Sequence, residues 1–397
     1  MKDAIKDLLT RHIDSIYPSK ESLEKTLRSG KRLTVYWGVD PTAPTVHIAH
    51  TTNLFVLKRF QDLGHKVVIL IGDFTAQIGD PTGKDKKRIP LTKSQVSRNL
   101  KNYQKLFLKI LNPKKTLFKF NSSWWGKMSA RNLLDLDRLI THQQLIERGM
   151  FDKRVKEGLP ISAEEFQYPL IQGYDSVALR TDIEIGGTDQ LFNMMVGRDL
   201  VKALLKKEKF VITTPLLINP TTNQKLMSKS DGNFIAFDDS AKDIYGKAMA
   251  LPDEVILNCL KLCTDLDAGE IKDVEKFLES GGNPRDAKIK LAHELVKIYY
   301  DTKIAEEAAY EFHRIFQEKK LPEDIPAAVL KLGDYNIIEL LVVSGLVFSK
   351  SEARRLVGQK AVKINSKVVD GLESNIKVQG GEIIQVGKRK FIKISGE

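Results

Sequence analysis

Only two cysteines occur among 397 residues, which excludes the disulfide framework of a small secreted scaffold. Cys259 and Cys263 stand on one face of a helical pattern, and none of the seven histidines lies within 25 residues of them. They lack the company a metal site needs and read as small core residues in a reducing compartment. Long apolar runs are also missing. The longest stretches, 67–71 and 340–343, fall far short of the ~20 residues that span a bilayer. The start, Met1-Lys2-Asp3-Ala4, has an acid at once and no Arg/Ser-rich pattern. Neither a signal nor a transit peptide is expected, and the expected location is cytoplasmic. Internal repeats and low-complexity tracts are absent too. Acid is in short supply against base: 63 Lys and Arg face 51 Asp and Glu, a net +12. That surplus favours an anionic partner, nucleic acid first, over charge that serves solubility alone.

What is present is a chain long enough, at 42% hydrophobic residues, for two or three domains. Residues 1–30 read as two short amphipathic helices separated by Pro18, with Ser19 as an N-cap and Gly30 as a stop. A β-branched and aromatic run at 33–39 predicts a strand, and 50–63 predicts a helix with Leu54, Leu57, Phe60 and Leu63 on one face. The continuous apolar run 67–71 predicts a strand buried on both faces. This strand–helix–strand unit opens an α/β fold with a doubly wound parallel sheet. The same logic returns with a strand at 183–185, a helix at 190–206 and a strand at 210–217. Between the two blocks, 91–160 reads as a polar, helical insertion. Residues 240–320 read as helices broken at Pro252 and at Gly281-Gly282-Asn283-Pro284. After a linker with Pro322 and Pro326 comes a small α+β module: helices at 337–345 and 349–357, then strands at 361–364, 367–369, 382–386 and 391–394.

Two motifs carry chemistry. His47-Ile48-Ala49-His50 falls between the first strand and its helix, where doubly wound sheets bind ligands. Two histidines three apart there can both donate to phosphate oxygens. Zinc ligation and a structural role remain open for them, although no HExxH or third ligand is near. The second motif is Lys225-Leu226-Met227-Ser228-Lys229-Ser230, in a loop after the last strand. A lysine-bearing loop suits a triphosphate whose pyrophosphate must leave. Gly79-Asp80-Pro81-Thr82-Gly83-Lys84 imitates a phosphate loop. It has three residues between its glycines instead of four, and Asp85 follows the lysine, so it is rejected as one.

The pairing of an HxGH-like site with an MSKS loop resembles the class I aminoacyl-tRNA synthetases. Tyr36-Trp37-Gly38-Val39-Asp40-Pro41-Thr42, Gln172-Gly173-Tyr174-Asp175 and Gly186-Gly187-Thr188-Asp189-Gln190 make the chain similar, over nearly its whole length, to the tyrosyl-tRNA synthetases. The resemblance implies a Rossmann-like catalytic domain at 1–225 with a dimerisation region inserted at about 120–165. It implies the MSKS loop and a helical anticodon-binding domain at 226–325, and an S4-like RNA-binding domain at 331–397. It implies activation of tyrosine with ATP, magnesium travelling with the nucleotide and no tightly bound cofactor, then transfer of tyrosine to tRNA(Tyr) by a homodimer. His47, His50, Lys229 and Lys225 would be catalytic. Gly38, Asp40, Thr42, Ala49, Gly187, Asp189 and Met227 would join His47, His50 and Lys229 around ATP. Tyr36 and Asp175 would hold the phenol; Tyr168, Gln172 and Asp80 would hold the ammonium, with Gln190 near the tyrosine.

The chain departs from the family pattern at three points. Ala49 stands for a glycine that lets adenine approach the backbone. Leu226 stands for the first lysine of the loop, which leaves Lys225 as a substitute. Glu184 stands where a glutamine is expected. In the tail, residues 348–393 hold eleven Lys or Arg against four acids. Ser351-Glu352-Ala353-Arg354-Arg355 and Val362-Lys363-Ile364-Asn365 resemble the S4 fold, in which Arg354, Arg355, Lys360 and Lys363 would track RNA phosphates. Three other functions are weighed against this one. A tryptophanyl-tRNA synthetase should lack the S4-like tail and the Tyr36/Asp175 pair. A small-molecule nucleotidyltransferase needs no basic tail. A synthetase-derived RNA-binding protein would have lost catalytic residues that are present here.

Overall fold

The computed structural model describes residues 3–81, 90–146, 149–227, 234–316, 325–387 and 390–396. The chain divides into two compact units, Met1–Ala305 and Glu306–Glu397.

The first unit is built on a six-stranded sheet. Its strands are β1 (Ser15–Tyr17), β2 (Thr34–Val39), β3 (Lys66–Ile71), β4 (Thr116–Phe120), β5 (Ile183–Gly187) and β6 (Phe210–Thr214), in the order β1-β6-β5-β2-β3-β4. All neighbours from β6 to β4 are parallel, and β1 closes one edge antiparallel to β6. Chain order reverses between β2 and β5, which makes the crevice outside their carboxyl ends the switch point where such sheets bind ligands. β3 and β6 are apolar runs with almost every residue buried, as expected of strands covered on both faces. The Thr51–Asp62 helix joins β2 to β3 and ends at Gly64, whose φ of 85° suits a glycine.

Two expectations need correction. Residues 1–30 hold two helices, Ala4–Leu8 and Lys20–Arg28, but also strand β1 between them. The 91–160 segment is not wholly an insertion, because β4 lies inside it and pairs with β3. Gln61 Nε2 donates to Thr116 Oγ1 at 2.8 Å and anchors the start of that edge strand. The expected break at 281–284 is borne out: the Ala268–Glu279 helix ends before it, and Pro284 begins Pro284–Tyr299, capped by the Asn283 side chain, where its missing N–H costs nothing.

Two helices flank the switch point, Ala163–Ala178 and Leu191–Leu205. They pack backbone to backbone at two glycines. A Cβ on Gly173 would lie 3.0 Å from the Gly197 nitrogen, and a Cβ on Gly197 would lie 2.7 Å from Lys209 Nζ. Gly173→Ala should therefore push the pair apart at a cost of about 1–3 kcal/mol. A denaturant titration should show the midpoint falling with its slope unchanged; an unmoved midpoint would mean that this approach is not close. The unit continues in helices Ala241–Met249, Ile256–Cys263, Ala268–Glu279 and Pro284–Tyr299, with Cys259 and Cys263 buried as free thiols.

The second unit carries β7 (Ala327–Leu330), β8 (Gly333–Asn336), β9 (Val362–Ile364), β10 (Lys367–Val368), β11 (Asn375–Val378), β12 (Ile383–Val386) and β13 (Lys390–Gly396). Five of them form a sheet in the order β10-β9-β12-β13-β7, and β8 pairs with β11. β7 pairs parallel with β13, so this module begins ahead of residue 331. Helices Ile337–Val343 and Lys350–Gly358 pack on the sheet through Ile337, Leu340, Leu341, Ala353 and Val357. No described helix of the chain is long and apolar enough to cross a membrane.

Candidate active site

The switch point opens into a cavity of about 200 Å³. β2 reaches it with Tyr36, Gly38 and Asp40, and β5 with Glu184, Ile185 and Gly186. The Ala163–Ala178 helix contributes Tyr168, Gln172 and Asp175, whose spacing of four and three residues keeps them on one helical face. Asp80 and Gln190 complete the wall, with Thr42 at the rim. All six residues expected to hold an amino acid thus line one cavity, together with three of those expected around ATP.

Hydrogen bonds divide the cavity into two ends. At one end Tyr168 Oη donates to Asp40 Oδ2 at 2.9 Å, and Thr75 Oγ1 donates to Asp40 Oδ1 at 2.6 Å. Gln190 Nε2 donates to Asp80 Oδ2 at 2.8 Å, while Asn193 Nδ2 bridges Gln190 and Gln172 at 3.2 and 2.8 Å. Two carboxylates among amide and phenol groups suit a cation. At the other end Asp175 is buried. Its Oδ1 accepts from the indole nitrogens of Trp124 and Trp125 at 2.8 and 3.0 Å, and its Oδ2 from Asn121 Nδ2 at 3.2 Å. Burial pushes its carboxyl up to about 7, against the pull of those three donors. Tyr36 is buried as well, and its hydroxyl lies 2.8 Å from Ser176 Oγ. Burial and the nearby Glu184 and Asp175 carboxylates hold its phenol well above the ordinary value.

His47, Ala49 and His50 form a single 3₁₀ turn, with His47 as its cap, at the entrance to the Thr51–Asp62 helix. The two imidazole rings lie 4.1 Å apart between centroids. His50 Nδ1 sits 3.2 Å from the His47 amide nitrogen and 3.0 Å from its carbonyl oxygen. Burial lowers the His50 pKa to about 4, so its ring is neutral near pH 7. The tautomer that accepts from the His47 amide carries its proton on Nε2 and can donate it outward.

The lysine-bearing loop is anchored at both described ends. At its entry the Leu226 amide bonds the Leu217 carbonyl at 2.9 Å, and Met227 is buried with φ 67°. Lys225 Nζ pairs with Asp189 Oδ2 at 2.7 Å. At its exit Ala236 bridges to His47, and the Ile48 amide bonds the Ile235 carbonyl at 3.1 Å. Lys229 lies outside the described residues. Gly187 caps the turn that presents Asp189; a Cβ on it would meet Asp189 Oδ1 at 2.7 Å.

In the second unit Arg354, Arg355 and Lys360 are exposed, and Lys363 is half-buried. Ala353 and Val357 face the core from the same helix, which turns the arginines outward. Lys360 pairs with Asp370 at 3.1 Å.

Sequence reasoning did not reach Asn121, Trp124 and Trp125, which hold Asp175, or Ser176 and Lys209 behind Tyr36. Glu184 was noticed only as a departure. It is buried and ion-paired with Lys209, and a lone acid inside an apolar strand was the available signal.

The model of class I tRNA synthetases (W and Y) matches residues 28–317, and that of the tyrosine–tRNA ligase SYY-like C-terminal domain matches 317–394. The chain is 42% identical to the tyrosine–tRNA ligase of Thermotoga maritima, over 98% of its own length and 96% of the relative's. It is 44% identical to that of Carboxydothermus hydrogenoformans, over 98% and 97%. Among solved structures, it resembles a C-terminally truncated mitochondrial tyrosyl-tRNA synthetase of Coccidioides posadasii, with 26% identity and a TM-score of 0.63 over 78% of this chain and 92% of that one. The tyrosyl-tRNA synthetase of Archaeoglobus fulgidus, solved with L-tyrosine, shares the fold at a TM-score of 0.59 and 20% identity, over 77% and 99%. The tryptophan branch is disfavoured, since the matching C-terminal model and these relatives are all of the tyrosine kind. The chain belongs to the class I tRNA synthetases and, within them, to the tyrosyl-tRNA synthetases.

Proposed function

We propose that this synthetase makes tyrosyl-adenylate in the switch-point cavity, with the phenol of tyrosine at the Tyr36/Asp175 end and its ammonium among Asp80, Tyr168 and Gln172. The observation that carries the reading is the division of one cavity into a cation-suited end and a buried, donor-rich end. The tyrosine carboxylate attacks the α-phosphate of ATP and pyrophosphate leaves. A terminal ribose hydroxyl of tRNA then takes the tyrosyl group. No enzyme nucleophile is needed, so catalysis is positioning plus stabilisation of charge growing on phosphate. Gly38, Thr42, Ala49 and Gly187 border the nucleotide, Gln190 lies near the tyrosine and Asp189 near the ribose. His47, His50, Lys229 and Lys225 face the phosphates, and Met227 seats the loop. Magnesium enters with ATP, held by its phosphates.

Residues 226–325 serve anticodon binding, and Arg354, Arg355, Lys360 and Lys363 meet RNA phosphates. The protein works in the cytoplasm as a homodimer. The apolar groove of Leu139, Ile140, Phe192, Met195, Val196 and Leu200 supports that assembly, together with the exposed Leu134 of the inserted region.

The test is specificity. A pocket that hydrogen-bonds the phenol leaves polar groups unpaired when phenylalanine enters; tyrosyl-tRNA synthetases are themselves the worked case for this rule, at about 10⁵-fold without editing. Asp175→Asn replaces a charged acceptor and should lower the tyrosine-to-phenylalanine ratio of kcat/KM in pyrophosphate exchange. The loss is worth about 1.5–3 kcal/mol, roughly ten- to a hundredfold. A pH profile adds an internal check. The ionised carboxylate is the acceptor, so kcat/KM for tyrosine should rise with pH through about 7, while phenylalanine stays flat and Asp175→Asn loses the dependence. In the free protein the sign is opposite. A carboxyl raised above its ordinary 3.8 contributes stability below that value, and loses it as pH rises through about 7. An unchanged ratio in Asp175→Asn would refute the phenol assignment.

A further inference from the structure

Around the Tyr36 hydroxyl, where Glu184 also reaches the cavity wall, four buried polar groups form a connected set. Lys209 has no exposed surface, Ser176 none, and Glu184 and Tyr36 almost none. The ammonium of Lys209 has three protons and three acceptors: Ser176 Oγ at 2.8 Å, the Met194 carbonyl at 3.1 Å, and Glu184 Oε2. Gly197 leaves the space for that ammonium, since a Cβ there would lie 2.7 Å from Nζ. The site is therefore built for a charged pair from three separate segments of chain.

Counting protons gives each bond a direction. Lys209 can only donate, so Ser176 Oγ accepts from it. Two acceptors lie within reach of the single Ser176 proton, the Tyr36 oxygen and Glu184 Oε2 at 3.1 Å; the ionised carboxylate is the stronger and takes it. One lone pair remains on Ser176 Oγ. The Tyr36 hydroxyl, at 2.8 Å, must fill it by donating its own proton. The Tyr36 oxygen is then left with lone pairs alone for the cavity. Asp175, already receiving three N–H groups, is an acceptor too.

We infer that Lys209 and Glu184, acting through Ser176, fix the direction of the Tyr36 hydroxyl. The phenol end of the cavity therefore presents two acceptors and reads a para substituent by the hydrogens it donates. Lys209 and Ser176 do not line the cavity and are positioning residues; Glu184 acts from the cavity wall. The inference rests on the reading that Tyr36 faces the substrate's phenol. Its chemical consequence is that a para amine, with two hydrogens to give, satisfies both acceptors, whereas a phenol has one.

Pyrophosphate exchange with tyrosine, 4-aminophenylalanine and phenylalanine tests this, on the wild type and on Tyr36→Phe, Ser176→Ala and Ser176→Thr. Wild type should activate 4-aminophenylalanine far better than phenylalanine. Ser176→Ala frees the Tyr36 proton to turn into the cavity, where it helps a phenol oxygen and opposes an amine. The tyrosine-to-amine ratio of kcat/KM should rise roughly five- to tenfold. Ser176→Thr keeps the hydroxyl that links Lys209, Glu184 and Tyr36, so the ratio should stay at the wild-type value. An unmoved ratio in a Ser176→Ala protein that melts like wild type overturns the inference. So does an equal shift in Ser176→Thr, which would mark general damage to the pocket. If Tyr36→Phe leaves the tyrosine-to-phenylalanine ratio intact, the site reading itself fails. If that ratio falls while Ser176→Ala moves nothing, only the present inference fails.

Discussion

Replacing His50 with Ala is expected to slow tyrosyl-adenylate formation by about 2.7–4 kcal/mol, on the order of a hundred- to a thousandfold, while tyrosine binds almost as before. Its ring is neutral, half-buried and held against the His47 backbone, at the mouth of the Thr51–Asp62 helix. A donor fixed there in advance costs nothing to reorganise when charge grows on phosphate. His47→Ala and Lys229→Ala should follow the same pattern, and Lys225→Ala reports whether that lysine has taken over from the residue now Leu226. Single-turnover adenylate formation and equilibrium tyrosine binding separate the two effects. Losses of equal size in both would make the histidines structural. Unimpaired exchange in both lysine variants would remove the loop from catalysis.

Removal of the C-terminal module should separate the two half-reactions. Residues 331–397 carry twelve Lys or Arg and seven acids, a net +5. The structure moves the better cut upstream, because a chain ended at 330 would keep β7 without its partner β13. Ending the chain at 316, after the Thr302–Phe316 helix, avoids this. Tyrosine-dependent pyrophosphate exchange should persist, since every described residue of the cavity lies in the first unit. Transfer to tRNA should fall by about two orders of magnitude or more, as the phosphate contacts that orient the RNA are lost. In the full-length protein, transfer should weaken steeply with salt and activation much less. Full charging by the shortened chain would show that the module does not bind this RNA. Loss of both reactions, with an altered circular dichroism spectrum, would show that it is needed for folding.

Much of the catalytic half was legible in the sequence because its signals are local. The runs at 33–39 and 67–71 became β2 and β3, the motifs around His47 and Asp189 mark the turns that follow β2 and β5, and the Gln172 motif lies on the helix that walls the cavity. What escaped lacked a local signal. β1 is three residues long, stands just before Pro18, and owes its existence to pairing with β6. β4 lies among polar helical stretches and at the sheet edge, with Leu117 43% exposed, so it lacks the continuous apolar pattern of β3. The set around Lys209 is assembled from a helix, a strand and the residue just ahead of β6. No periodicity within one segment announces such a set; only the two charges placed beside apolar strands hinted at it.

The ion pair between Lys225 and Asp189 has a consequence for the order of events. If Asp189 contacts the ribose as proposed, an arriving nucleoside would find its acceptor already taken by an ammonium. The pair is half in water, with Lys225 56% and Asp189 26% exposed, so parting it costs at most about 1 kcal/mol. Exchanging it for ribose hydroxyls is close to neutral. On that reading the exchange would release a positive charge at the root of the loop as a triphosphate comes within its reach, so that the adenosine half of the substrate would unlock the counter-charge its phosphate half requires.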